Sequence, residues 1–414
     1  MFHNLFIIPQ LISGFRYLSK CGYLPTPSRV GPAIILENMC GIFRFRLVNG
    51  KLVPPNCRIK TVSILLIAGY IVLFYMYMNK PSIISKTYNF VDVLVEVPSI
   101  VTLVQCVTSS ITACFLVNAP NIRIFDTFAK LDTMLLVETF PDFDKQSRSE
   151  TNMFLLVLCI THTITALLDL LTANAITMSQ FVILPMYFVQ KLEILTFCKL
   201  VAMLRTRVAI INVYLSTFIE KKDSKTIKIF TFVREKRSGS EKKFNFIGRA
   251  ATDNLKIRDL ATMYDVIGKI CSMINEVFNF QIFMTLVSTF TFIVIIIWTS
   301  LYEYRTPESN SGHLINTAIW CYNIVHTVAI MAVACERLLL MRNATKVLVN
   351  KMIMDYSLPK SMRVQAKAFM ELVDAWPLRI FIYDMFSIDI TLMLKFISVA
   401  TTYLIVIIQI SHFI

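Results

Sequence analysis

Long apolar runs separated by short polar breaks dominate the chain. A helix needs about 20 largely apolar residues to cross a bilayer, and six stretches qualify: 61 to 78, 97 to 117, 179 to 200, 277 to 302, 314 to 335 and 390 to 411. The apolar region from Thr151 to Leu204 is too long for one crossing, since its length as a helix would be roughly 80 Å against a hydrocarbon core of about 30 Å. The polar run Thr172-Ala-Asn174-Ala-Ile-Thr177 divides it and places a seventh span near 152 to 173. The pattern predicts an all-α membrane protein with seven transmembrane helices. Apolar residues at helical spacing also continue beyond several spans: Thr196 to Ile219, Leu255 to Phe278, and the 336 to 388 segment through Leu338, Met341, Val364, Ala368 and Leu372. Amphipathic helices of this kind need a surface to pack on, which predicts a helical anchor outside the bilayer.

Charge orients the spans. Eight Lys and Arg residues precede the first span, four lie in 118 to 150, fifteen in 204 to 276 and eight in 336 to 389; the remaining connections hold three, Lys80, Lys86 and Arg305. Positive residues favour the cytoplasmic side, so the amino end is expected inside and, after seven crossings, the carboxyl end outside. A G-protein-coupled receptor has the opposite orientation. This placement also accounts for the formal charge of +14 without nucleic acid, the basic residues facing the cytoplasm and anionic lipid headgroups. The expected organisation is a cytoplasmic segment over 1–58, helices 1 to 6 over 59–335 with a basic cytoplasmic loop at about 205–276, a cytoplasmic anchor over 336–388 and a final helix over 389–414. The segment 220 to 250 mixes Lys and Arg with Ser and Gly, and reads either as a solvated linker or as a lipid or partner patch.

Composition agrees: 56% of residues are hydrophobic and 16% charged, with a mean hydropathy of +0.62. The ten cysteines show no CxxC, CxxH or paired spacing, which points away from zinc and from a disulfide framework. Nothing resembles a catalytic set, a phosphate-cradling loop or a nucleophile elbow, so neither an enzyme nor a cofactor is expected.

Polar residues within the spans are the candidate chemistry, because ionisable groups at membrane depth are costly. His162, Thr165, Asp169 and Thr172 share one face of the third span; Asn316, Trp320, Asn323 and Thr327 share one of the sixth. Glu96, Ser99, Tyr187, Gln190 and Trp298, with Lys191, lie at depths similar to the outer parts of those faces. Two readings stay open. Glu96, Ser99, Asp169, Thr172, Tyr187, Gln190, Trp298, Asn316, Trp320 and Asn323 could line a ligand pocket open to the outside. They could equally be interhelical hydrogen bonds, with Asp169 paired to Lys191. In the last span Ser398, Thr402, Ile405 and Gln409 fall at offsets 0, 4, 7 and 11 and form one stripe, which reads either as helix packing near an interface or as a pore lining closed by an apolar constriction.

Thr402-Tyr403, five apolar residues and Gln409, preceded by Phe386-Ser-Ile-Asp-Ile-Thr-Leu-Met-Leu, resemble the carboxyl-terminal signature of insect gustatory receptors, Thr-Tyr, five hydrophobics, Gln-Phe. The resemblance implies a tetrameric ligand-gated nonselective cation channel in the cell membrane of a chemosensory neuron, as a homotetramer or a heteromer with related receptors. The last helix would line the pore, with Gln409 and Ile410 at the gate and Tyr403 supporting the helix. A small-molecule tastant would bind between the second and sixth helices. Ile410 replaces the family's Phe, and Leu404 stands where sugar-sensing members tend to carry Glu, which leaves bitter or other plant compounds as the ligand class. The alternatives are an odorant-receptor-type subunit needing a coreceptor, or a secondary transporter, which would show internal repeats that this chain lacks.

Overall fold

The computed structural model describes residues 33–48, 51–78, 90–137, 141–172, 178–219, 253–304 and 311–413. The basic segment 220 to 250 lies outside them. A short helix over 33–39 leads into a two-stranded antiparallel hairpin of β1 (Arg46–Val48) and β2 (Lys51–Val53). Helices follow: α1 (Cys57–Met78), α2 (Phe90–Ile111), α3 (Asn118–Leu135), α4 (Pro141–Thr172), α5 (Met178–Ile219), α6 (Asp253–Tyr304), α7 (Ser311–Met354) and α8 (Lys360–Ala375). A second hairpin, β3 (Phe381–Ile382) with β4 (Phe386–Ser387), precedes α9 (Ile390–Phe413). The two hairpins are the β content among the described residues of an otherwise helical fold.

The expected spans overlie α1, α2, α4, α5, α6, α7 and α9 in turn, the second running past α2 and the third ending at residue 173, outside the described residues. Thr112–Leu116 extend α2 as a π turn. Within the described residues, Cys57–Met78, Glu96–Leu116, Ile257–Ile296 and Ala318–Met354 are each long and apolar enough to cross a membrane, and Asn152–Leu168 and Ile390–Tyr403 are shorter apolar helices. Helix α5 carries Lys191, Glu193 and Lys199 within its apolar run. All three are buried in protein, so their charge meets neighbouring helices rather than lipid.

Helices α5, α6 and α7 have 42, 52 and 44 residues. At 1.5 Å per residue they run about 63, 78 and 66 Å, twice the bilayer core or more, and their far ends gather into the main hydrophobic core. There Tyr264, Ile267, Ile270 and Ile274 of α6 meet Leu338 and Met352 of α7 and Met362, Ala366, Phe369 and Val373 of α8. Trp376, after α8, locks this layer. Its ring sits where a Cβ on Gly268 would come within 2.4 Å, its Nε1 donates to Asp265 (2.9 Å), and its carbonyl accepts from the Tyr264 hydroxyl (3.2 Å). Burial opposes ionisation of Asp265, but hydrogen bonds from Lys269 and Trp376 hold its carboxyl below the usual range.

The segment 118 to 150, read from sequence as a loop, contains α3. Ile124, Phe125, Phe128, Leu131 and Leu135 of α3 are buried in the same core. Asp132 joins α3 to α5 by accepting from Arg207 Nε (2.9 Å) and Nη2 (2.8 Å), while Arg207 Nη1 donates to the Met203 carbonyl (3.0 Å).

The expected amino-terminal segment reaches further into the bundle than a tail would. Arg44 donates through Nε to Glu37 (3.0 Å) and through Nη2 to Glu193 (3.4 Å), all three side chains being buried. Glu193 lies seven residues, about 10 Å, before residue 200, where the expected crossing ends. Residues 33–48 are therefore part of the bundle.

Candidate functional site

Four helices bring the outer candidate residues together. On α5, the run from Val182 to Val201 is almost wholly buried, so residues three and four apart, Tyr187, Gln190 and Lys191, all point into protein. Tyr187 packs on Trp320 of α7 (ring centroids 5.2 Å) and on Phe292 of α6 (5.7 Å), and those two rings are 5.7 Å apart. The Tyr187 hydroxyl lies near Thr102 of α2, whose own hydroxyl donates to the Pro98 carbonyl (2.8 Å). This three-ring cluster is the aromatic centre of the candidate pocket.

One turn deeper is a polar node. Lys191 Nζ donates to Asn323 Oδ1 (3.3 Å), and Asn323 Nδ2 donates to the Thr165 hydroxyl, which donates to the Thr161 carbonyl (2.9 Å). The node ties α4, α5 and α7 at buried residues, and Asn323 satisfies both neighbours by using its amide as acceptor and donor. Lys191 thus bonds Asn323. Asp169, its sequence-expected partner, has a side chain outside the described residues, as do Thr172 and Asn316.

The other candidates spread around the cluster. Glu96 of α2 accepts from the Tyr77 hydroxyl of α1 (3.1 Å). Ser99 and Trp298 are partly buried, on α2 and α6. Sequence reasoning passed over Phe292, whose apolar run on α6 gives no sign of which face meets Tyr187, and Tyr77. It also passed over Glu193, for which a signal exists: a carboxylate two residues from Lys191 in an apolar run. The two isolated histidines pack on rings, His162 on Phe188 (5.0 Å) and His326 on Tyr322 (5.6 Å).

Two cavities continue from the polar node toward the α8 end of the bundle. The first, about 30 Å³, touches Lys191, Asn323, Thr327 and Thr161. The second, about 270 Å³, lies between α4, α5 and α7 and shares Phe154, Leu195, His326 and Ile330 with the first.

On α9 the predicted stripe faces outward. Ser398, Thr402, Ile405 and Gln409 are exposed. The Thr402 hydroxyl donates back to the Ser398 carbonyl (2.9 Å) and the Thr401 hydroxyl to the Ile397 carbonyl (2.8 Å). Such back-bonding lets hydroxyls sit in an apolar helix at little cost. Tyr403 is 50% exposed and its ring stands 5.4 Å from Phe290 of α6. The Ile410 side chain lies outside the described residues. Among the described residues no group of three or more His, Cys, Asp or Glu is placed to hold a metal ion.

A protein-family model described as 7tm chemosensory receptor matches residues 39–412. The chain belongs to that family. It is a multi-pass membrane protein of a family of receptors, not enzymes. Two solved structures share its fold, both of the insect olfactory receptor OR5 from Machilis hrabei. The complex with eugenol superposes with a TM-score of 0.66 at 9% identity, over 93% of this chain and 98% of the receptor. The other OR5 structure gives 0.64 at 11% identity, over 96% and 99%. No curated protein matches the chain by sequence at a significant level.

Proposed function

We propose that this chemosensory receptor is a ligand-gated nonselective cation channel of the gustatory type, detecting a bitter or other small plant compound in the cell membrane of a chemosensory neuron. The observation that carries the reading is the polar stripe of α9, which a single chain leaves exposed. The Gln409 amide directed at lipid would lack hydrogen-bond partners, whereas several copies about one axis would turn the whole stripe to a water-filled path. Four copies, identical or mixed with related receptors, supply that arrangement. Gln409 and Ile410 form the gate, and Tyr403, braced on Phe290, steadies the helix. The Lys and Arg distribution supports a cytoplasmic amino end and an anchor, 336–388, on the cytoplasmic side.

The tastant enters from outside toward the rings of Tyr187 and Trp320. Glu96, Ser99, Gln190, Trp298 and Asn323 lie within the same upper bundle, and Asp169, Thr172 and Asn316 belong to this pocket by their positions on α4 and α7. The complex of OR5 with eugenol supports a small-molecule ligand.

The test is a ligand screen with current recording in cells expressing this chain and lacking coupled G-protein signalling. A ligand-evoked cation current is expected, with altered leak or permeation in Gln409→Ala. Currents unchanged by substitutions at Ser398, Thr402, Ile405 and Gln409 would remove the pore assignment. The fold shared with an olfactory receptor favours one second reading, an odorant-type subunit needing a coreceptor. That reading expects no current from this chain alone and recovery on adding the coreceptor.

A further inference from the structure

None of the proposed pocket or pore residues lines the 270 Å³ cavity between α4, α5 and α7, and its chemistry is divided by depth. Four charged residues line it: Glu150 of α4, Lys199 and Arg205 of α5, and Arg337 of α7. Glu150 accepts from Arg205 Nη2 (2.6 Å), so three cations stand against one carboxylate among the lining residues. Three of the four stand at a bilayer boundary. Glu150 is two residues before the expected crossing 152 to 173, Arg205 five after 179 to 200, and Arg337 two after 314 to 335. Lys199, just inside that boundary, is only 3% exposed yet lines the cavity, so its ammonium is held in the protein wall at a depth a headgroup reaches.

Above this cationic rim the walls are apolar, formed by Phe154, Leu195, Ala329 and Ile330. Val333 both lines the cavity and is 37% exposed, which places the lip on the lipid-facing surface. The volume equals about nine waters, enough for a phosphate with its glycerol and the first methylenes of a chain. A soluble anion would use the rim and leave the apolar walls unmatched, whereas an amphiphile matches both.

We propose that this crevice binds the headgroup of an anionic phospholipid, its phosphate among Lys199, Arg205 and Arg337 and its acyl chain entering past Val333 toward Ile330. By the orientation argued above, the supplying leaflet is the cytoplasmic one, where anionic lipids concentrate. The contact bridges the helices that form the Lys191–Asn323–Thr165 node.

The experiment is native mass spectrometry of the purified full-length chain in mild detergent with equal phosphatidylserine and phosphatidylcholine of one chain length. Selective retention of phosphatidylserine is expected. Arg337→Glu, at an exposed position, should lower that retention about fivefold or more, since a Lys or Arg near a headgroup contributes about 1 kcal/mol and this change reverses one. Val333→Trp should lower it by blocking the lip, and it gives a second reading if one variant folds poorly. Lys360→Glu, an exposed reversal on α8, should leave retention unchanged. Equal retention in Arg337→Glu and the unaltered chain, or an equal fall in Lys360→Glu, overturns the site. Complete displacement of the lipid from the unaltered chain by inorganic phosphate overturns the lipid assignment in favour of a free anion. The readout needs no current, so it stands or falls separately from the channel reading.

Discussion

Helices α8 and α9 carry stripes with the same spacing and opposite fates. Met362, Ala366, Phe369 and Val373 of α8 fall at offsets 0, 4, 7 and 11 and are all buried. Ser398, Thr402, Ile405 and Gln409 of α9 fall at those same offsets and are all exposed. Periodicity states which residues share a face; it does not state what covers that face. The α8 stripe meets α6 and α7 of its own chain, while the α9 stripe is left for lipid or for another copy. The first is apolar and needs only burial, while the second carries the Gln409 amide, which needs water or a polar partner.

The comparison breaks most sharply in the core that covers α8 and its neighbours. Asp132→Ala strands Arg207, which is 1% exposed, without its carboxylate, and the cost of such a broken buried pair is about 3–5 kcal/mol. Thermal unfolding of the purified protein should show a large fall in stability, and a stability within error of the unaltered protein would mean that water reaches Arg207. Gly268→Ala places a methyl group against the Trp376 ring and should cost about 1–3 kcal/mol. In a Trp376→Ala background the same change should be nearly neutral, and a cycle without that coupling would move the close contact elsewhere.

Acid gives a smaller effect. The folded state favours the ionised form of Asp265, so its contribution is complete above the ordinary Asp range and lost as pH falls below about 4. The melting temperature should decline less over that interval in Asp265→Asn than in the unaltered chain, and parallel curves would sink the assignment. The smallest stability change is expected on α9. Gln409→Ala, at an exposed position, should alter stability by about 0.5 kcal/mol or less while changing the leak current. A large loss of stability there would mean that the face is packed within the single chain.

Much of the architecture was legible because each span announces itself locally. Twenty apolar residues in a row have few other destinations, and the over-long stretch from 151 to 204 had to be two helices on length alone. The continuations of α5 and α6 could be read from their spacing, but the face of α8 was misread: Val364 and Ala368, picked as its apolar positions, are exposed, and Met362, Ala366, Phe369 and Val373 are the buried ones, because several apolar residues lie on more than one face and only the packing on α6 and α7 selects between them. Helix α3 could have been read by the same test, since Ile124, Phe128, Leu131 and Leu135 repeat at helical spacing, but its polar neighbours suggested a connection. The site was less legible. Tyr187 and Trp320 were picked by residue type and depth and do meet. The sequence offered Asp169 as the partner of Lys191; the bond that Lys191 makes to Asn323 depends on how α5 and α7 are rotated about their axes, which spacing along one helix does not fix. The burial of Arg44 against Glu193 joins positions 149 residues apart, a pairing that neither run of sequence implies.

The sequence by itself determined where the apolar spans lie, the asymmetry of Lys and Arg between their connections, and the stripe on the last one. These follow from burial and from charge near a bilayer, which act residue by residue. Only the tertiary structure decided which helix sits at the centre and can keep three charged residues. It also decided that residues 33–48 enter the bundle and that the cationic crevice opens beside α7. Those depend on which faces meet, and a helix pattern fixes the face without fixing its neighbour.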